Sequence, residues 1–326
     1  MAGFKVANKQ QGNGDDLREK FDELNKHVVE TVGLEKTKTL VGVLSSIVDL
    51  GLQPLPDAEY VLEGEDANLT KEELEVKYAE DMEKKGIYFD IGYNGNKQER
   101  ELMKKVPQKS LQCVAFSIDF PSRIVDKGQF FGESNPAPLR IWYGGKFWNG
   151  EKMVIQNLTT LKERPLTDGG KDWSLNPKSV LHKMAVASEI VEDNKSVFKS
   201  ERIDELLGKA FLFSAQVGFE AGKGKNAGKE FYKEKVTFTG ALMDGQESPV
   251  IARTNLVQFG DVDNDEQALR ELPAHIKNTM ALSPDFEGSV VQKQLQALSD
   301  AQSEDGGDNE AETTTAEPVS AGKTDW

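Results

Sequence analysis

Two runs rich in aromatic and β-branched residues close around a loop of glycine, lysine and asparagine in Leu206–Leu242, LLGKAFLFSAQVGFEAGKGKNAGKEFYKEKVTFTGAL. Such a pattern predicts a long β-hairpin with a basic tip and commits the rest of the chain to supplying a sheet for it. In the first arm Phe211, Phe213, Val217 and Phe219 share one parity, so one face carries the apolar load and needs burial. In the second arm Tyr232, Val236 and Phe238 share one face, while Phe231, Lys233, Lys235 and Thr237 share the other. That second face sets an aromatic ring beside two ammonium groups, a surface suited to a base and its phosphates.

Other segments supply candidate strands. Thr39–Gln53 places Leu40, Leu44, Val48 and Leu50 on one parity and, with internal glycine, reads as a long bent first strand. Leu111–Phe120 alternates, with Val114, Phe116, Ile118 and Phe120 on one face, and is the expected second strand. In the third, Leu139, Ile141 and Tyr143 oppose Arg140 and Trp142, before Gly144-Gly145 delivers Lys146, Phe147 and Trp148. Asn176–Ser188 predicts a helix capped by Asn176, with Pro177 at its first position, between the third and fourth strands. The hairpin supplies the fourth and fifth.

Around this frame the chain is helical and acidic. Leu17, Phe21, Leu24 and Val28 recur at helical spacing after an Asp15 or Asp16 cap, with Gly33 as the stop. Residues 54–109 break the strand pattern and read as an acidic insertion. They hold a Thr70-x-x-Glu73 capping box, the stripe Leu74, Tyr78, Met82, and a short hairpin turning at Asn94-Gly95. Leu272, Ile276, Met280, Phe286, Val290, Leu295 and Leu298 predict C-terminal helices against the barrel. From Ser299 onward apolar residues nearly vanish, and a disordered tail is expected. The expected architecture is therefore mainly β, α+β overall. It consists of a helical N-terminal extension (1–38), a five-stranded barrel domain (39–250) with the 54–109 insertion, a helical segment (251–298) and an acidic tail (299–326).

Charge is segregated along the 326 residues. The net charge is −15, yet residues 121–260 hold 20 Lys and Arg against 17 Asp and Glu. The tail carries eight acids and one Lys, and ends on Asp325 and a lone Trp326, an exposed ring able to anchor in a partner's pocket. No apolar run reaches the roughly 18 residues of a membrane span, and the start lacks a signal peptide's hydrophobic core, so a cytoplasmic protein is expected. The single Cys113 excludes an internal disulfide and reads as a buried thiol; three scattered histidines make no zinc spacing with it.

The loop EAGKGKNAGKE is not a phosphate loop. Gly222 and Gly224 miss the Walker spacing to Gly228-Lys229, Glu230 stands where Ser or Thr must reach magnesium, and the flanks are strands rather than a strand and a helix. No paired carboxylates, nucleophile beside a histidine, or HxxxH pattern appears, so neither an enzyme nor a cofactor is expected. Rings and cations on the solvent side of strands point instead to sequence-independent single-strand binding. The candidate contacts are Arg140, Trp142, Lys146, Lys209, Lys223, Lys225, Lys229, Phe231, Lys233 and Lys235.

The order of these segments, with FSIDFPSRIVDKGQ in the second strand, PKSVLHKM in the lone helix, IDELLGKAFLFSAQV and EFYKEKVTFTGAL, resembles the OB-fold single-stranded DNA-binding proteins of tailed bacteriophages. The resemblance covers roughly Thr39–Leu242 apart from the insertion. It implies an OB barrel binding single strands in phage DNA replication and recombination, within the host cytoplasm and compatible with a homo-oligomer. It also implies a tail whose Asp325 and Trp326, where phenylalanine is common, dock onto a polymerase or helicase. The acidic insertion and the N-terminal helix depart from the family pattern. A structural or regulatory phage protein using the barrel for protein contacts is the rival expectation, and a strand-annealing factor a third.

Overall fold

The structure is a computed structural model that describes residues 14–54, 57–130, 132–144, 146–148, 153–155, 159–165, 171–222 and 227–305. It is a mixed α/β protein, mostly sheet. The strands are β1 (Lys38–Gln53), β2 (Ala58–Val61), β3 (Tyr88–Asn94), β4 (Glu99–Val106), β5 (Leu111–Asp126), β6 (Pro136–Tyr143), β7 (Lys146–Trp148), β8 (Met153–Ile155), β9 (Thr159–Pro165), β10 (Lys171–Leu175), β11 (Ala210–Ala221), β12 (Glu230–Gly240) and β13 (Asn255–Val257). The α-helices are α1 (Gly14–Val32), α2 (Lys71–Lys77), α3 (Ala79–Lys85), α4 (Val180–Ala187), α5 (Glu266–Arg270), α6 (Ala274–Met280) and α7 (Val290–Asp305). None of the described helices is long and apolar enough to cross a membrane.

The chain divides into two compact units that do not follow the expected domain boundaries. One gathers the described parts of residues 1–44, 118–141 and 208–252; the other those of 45–117, 142–207 and 253–326. Both 16-residue strands, β1 and β5, are cut by the division, at Leu44/Ser45 and Ser117/Ile118. A strand of that length extends about 53 Å, far more than one small core can cover, so its two halves serve different cores.

In the first unit the five expected strand segments are paired in series, β6-β5-β1-β11-β12, and β12 ends the series. Lys38–Val43 runs antiparallel to Ala210–Ala215. Gly42 sits where a Cβ would lie 2.5 Å from Ile118 Cγ2 and 2.9 Å from Phe213 Cδ2, so the bare backbone lets those side chains close over it. Phe120 and Phe213 meet edge to face at 5.7 Å. Helix α1 contacts β11 and buries Leu24, Val28 and Val32. It stops at Gly33, as its spacing predicts, in the left-handed region with φ +59.

The second unit contains a core built from β1, β5 and the C-terminal helices. Val48, Leu50, Cys113 and Ala115 pack with Val257, Phe259, Leu269, Ile276, Met280 and Val291. Strand β13, too short to stand out in the sequence, runs parallel to Ser46–Val48, and β9 pairs Thr159 and Thr160 with Val114 and Cys113. The insertion folds as the sheet β2-β4-β3 with α2 and α3. Its Thr70 box forms as expected: Glu73 N–H donates to Thr70 Oγ1 and Thr70 N–H to the Glu73 carboxylate. Two expectations are corrected here. Helix α4 is capped by Ser179, whose hydroxyl accepts His182 N–H at 3.2 Å, because Asn176 and Pro177 are spent on a preceding turn. The tail is not unstructured from Ser299, since α7 continues through Asp305.

Candidate nucleic-acid interface

The β11–β12 hairpin pairs Phe213 with Phe238, Val217 with Glu234, Phe219 with Tyr232 and Glu220 with Phe231. One face therefore carries Phe213, Val217 and Phe219 against Phe238 and Tyr232, with ring centroids 6.0 Å apart in both aromatic pairs. Glu234 shares that face and accepts the Tyr232 hydroxyl hydrogen bond at 2.5 Å. Protein packed around Glu234 pushes its carboxyl above the usual range, although part of the side chain reaches water.

The other face carries Phe231, Lys233 and Lys235, as alternation predicts, opposite Glu220, Gly218 and Gln216. Both lysines are spoken for. Lys233 Nζ donates to Glu220 at 2.9 Å, and Lys235 Nζ donates to the other oxygen of the same carboxylate. The hydrogen bond from Lys235, followed by that from Lys233, holds the Glu220 carboxyl down at about 2. The face is thus a half-buried ring beside two cations sharing one anion, a local charge of +1 rather than +2. Glu220 is legible as an outward residue of the first arm, one parity off Phe219; its diagonal reach to two lysines requires the register.

The remaining candidates are dispersed. Arg140 is not an outward cation: its Nε and Nη2 donate to Asp119 at 2.7 and 3.0 Å, and Asp119 is only 4% exposed. Parity places Arg140 correctly off the apolar face, but a buried carboxylate on the adjacent strand needs a fork-shaped donor there. Trp142 is not an outward platform either. It packs half-buried against the helical core of the second unit, edge to face with His275 at 6.5 Å. The division falls between Ile141 and Trp142, so Arg140 and Trp142 belong to different units. Lys209 is half-buried, with its carbonyl accepting Leu44 N–H at 3.0 Å. Lys229 is exposed at the base of the tip, where its carbonyl accepts Gly222 N–H at 2.7 Å. Lys146 lies on β7, its backbone opposite Ile155, with its side chain outside the described residues. Lys223, Lys225, Asp325 and Trp326 also lie outside the described residues.

Burial raises the Cys113 thiol to about 12, with the nearby Asp49 charge adding to the effect, so it is no nucleophile. Comparison of the chain with family models, with curated proteins and with solved structures gives no match in any of the three.

Proposed function

We propose that the first unit is an OB-type module that binds single-stranded DNA without sequence preference, in the manner of the phage replication and recombination proteins that the chain resembles. The observation carrying this reading is the solvent face of β12, where Phe231, Lys233 and Lys235 line up on one parity after the exposed Lys229. A ring supplies a stacking surface and the ammonium groups supply phosphate contacts, the two ingredients of sequence-tolerant single-strand binding. The serial pairing β6-β5-β1-β11-β12 supports the architecture: all five segments of the expected barrel are neighbours, and closure would require only that β6 meet β12. Incoming phosphates take over Lys233 and Lys235 from Glu220. The acidic tail competes for the same cations when DNA is absent, and displacement frees Asp325 and Trp326 for a polymerase or helicase.

The direct test is fluorescence anisotropy with a labelled oligo-dT of about 30 nucleotides, longer than a single module's site, against duplex of equal length. The reading expects preference for the single strand, weakened in Phe231→Ala and in the Lys233→Ala/Lys235→Ala pair. Equal response to both nucleic acids, or none, refutes it. Removal of residues 306–326 is expected to tighten oligonucleotide binding; unchanged affinity at low salt removes the competition. A second reading, a module for protein contacts, draws on the pairing of Arg140 with Asp119 and of both lysines with Glu220, which ties these three candidate cations to carboxylates.

A further inference from the structure

The sheet of the acidic insertion carries its acids on one side only. In the three-stranded sheet, Tyr60 on β2 and Phe89 on β3 flank Lys104 on β4, Ile91 lies opposite Leu102, and Tyr93 opposite Arg100. Antiparallel partners share a face, so Tyr60, Ile91, Tyr93, Arg100, Leu102 and Lys104 all look the same way. The opposite face takes every acid of the three strands: Glu59, Asp90, Glu99 and Glu101. Two of these are already paired there, Glu59 with the buried Lys105 and Glu101 with Lys97. In a protein of net charge −15, this leaves a sheet face of rings, aliphatics and cations to which the three strands contribute no acid.

That face is also open. Tyr60 is 54% exposed, Ile91 54% and Tyr93 39%, well beyond what a sheet covered by its own domain leaves in water. Tyr78, between α2 and α3, covers the Phe89 end, packing on Phe89 at 5.6 Å with Lys104 Nζ 4.9 Å over its ring. The acids nearest to this end come from the helical side: Asp66, held by Lys77 and Tyr78, and Asp81, held by Lys85, both within the field of Lys104. Beyond them Tyr93, Arg100, Leu102 and Ile91 continue away from the helix.

We infer that this face of the insertion is a second contact for single-stranded nucleic acid, with bases stacking on Tyr60 and Tyr93 and the backbone crossing Arg100 and Lys104. The spacing fits an extended strand. Arg100 and Lys104 are four residues apart on the central strand, about 13 Å, and the two tyrosines stand diagonally on the flanking strands, Tyr60 level with Lys104 and Tyr93 level with Arg100, about 16 Å apart. Cations therefore run down the middle with a ring on either side, which suits a phosphate backbone between splayed bases. A protein partner would be met better by a continuous apolar patch, and here Arg100 and Lys104 interrupt it at alternate positions.

This inference rests on the proposed single-strand function, and two measurements separate their fates. The first is oligo-dT anisotropy on the full chain with Tyr60→Ala/Tyr93→Ala, both rings being surface groups whose removal leaves circular dichroism unchanged. A weakening of about 10-fold or more is expected from the loss of stacking. The second uses the wild-type chain alone: photocrosslinking to an oligonucleotide bearing 5-iododeoxyuridine, with the crosslinked peptides identified by mass spectrometry. Crosslinks at Tyr60 or Tyr93 support the contact. Binding with unchanged affinity in the double variant, together with crosslinks confined to 210–240, overturns the inference and leaves the proposed function standing. Absence of single-strand binding by the wild-type chain overturns both.

Discussion

Replacing Gly42 by alanine tests the packing of the proposed binding module at its centre. Strand β1 lies between β5 and β11, and an added methyl would lie 2.5 Å from Ile118 Cγ2, 2.9 Å from Phe213 Cδ2 and 3.0 Å from Phe120 Cε1. Carbon atoms in contact prefer about 3.5–4.0 Å, so the worst overlap is about 1 Å. Ile118 Cγ2 is a branch methyl next to the backbone and cannot swing clear; all three partners are fully buried and have no space to retreat into. Overpacking of this kind costs about 1–3 kcal/mol. Restricting the unfolded chain returns about 0.4–1 kcal/mol. The net expectation is a loss of about 1–2 kcal/mol, or roughly 0.5–1 M in urea midpoint for a slope near 2 kcal/mol/M. All four tryptophans lie outside residues 118–141 and 208–252, so the transition should be followed by circular dichroism and by hydrogen exchange of peptides from 210–221. A variant as stable as the parent, with unchanged exchange in that strand, refutes the packing argument.

Four further outcomes are expected. Cys113, with its thiol raised to about 12, should ignore Ellman's reagent in the native protein and react once in urea; prompt native reaction contradicts its burial. Glu220 should titrate at about 2 by carbon NMR. Because its folded value lies below the ordinary carboxylate one, its contribution to stability is full above about 4.5 and is lost as pH falls toward 2, and a measured value near 4.5 would dissolve the lysine tie. Asp119→Asn should cost about 1.5–3 kcal/mol by removing a charged partner of Arg140, with the Arg140→Ala double variant recovering part of it; strict additivity in that cycle contradicts the pair. Oligonucleotide affinity should fall with log salt at a slope of about −2 to −3.5, for three to five phosphates, and a flat response excludes a phosphate-tracking surface.

The alternation of Phe211, Phe213, Val217 and Phe219 is enough to place the hairpin and its two faces, because burying one face of a sheet fixes the parity of every residue on it. The same logic finds β5 and β6, and helix-capping chemistry finds the Thr70 box and the Gly33 stop. It fails where a side chain's fate depends on a neighbouring strand. Nothing local to Arg140 announces Asp119, 21 residues earlier, and nothing local to Lys233 announces Glu220. Trp142 alternates as if outward, yet a second core formed by distant helices covers it. The insertion's net acidity averages over two faces that the sheet keeps apart. Strands of three residues, such as β13, carry too little pattern to be seen without their partners.

The pairing of β1 has a consequence for synthesis of the chain. Val43 pairs with Ala210 and Lys38 with Ala215, separations of 167 and 177 residues. At the roughly 5–20 residues per second of translation, β1 would leave the ribosome about 10–35 s before this partner exists. For that interval a strand whose residues from Val43 to Val48 become fully buried in the finished protein has at least one free edge in water, and both until β5 emerges. Long-range antiparallel pairing is slow in any case, and an apolar edge waiting for it is an aggregation hazard. Expression yield should therefore respond to temperature and to chaperone supply more steeply than the final stability of either unit would suggest.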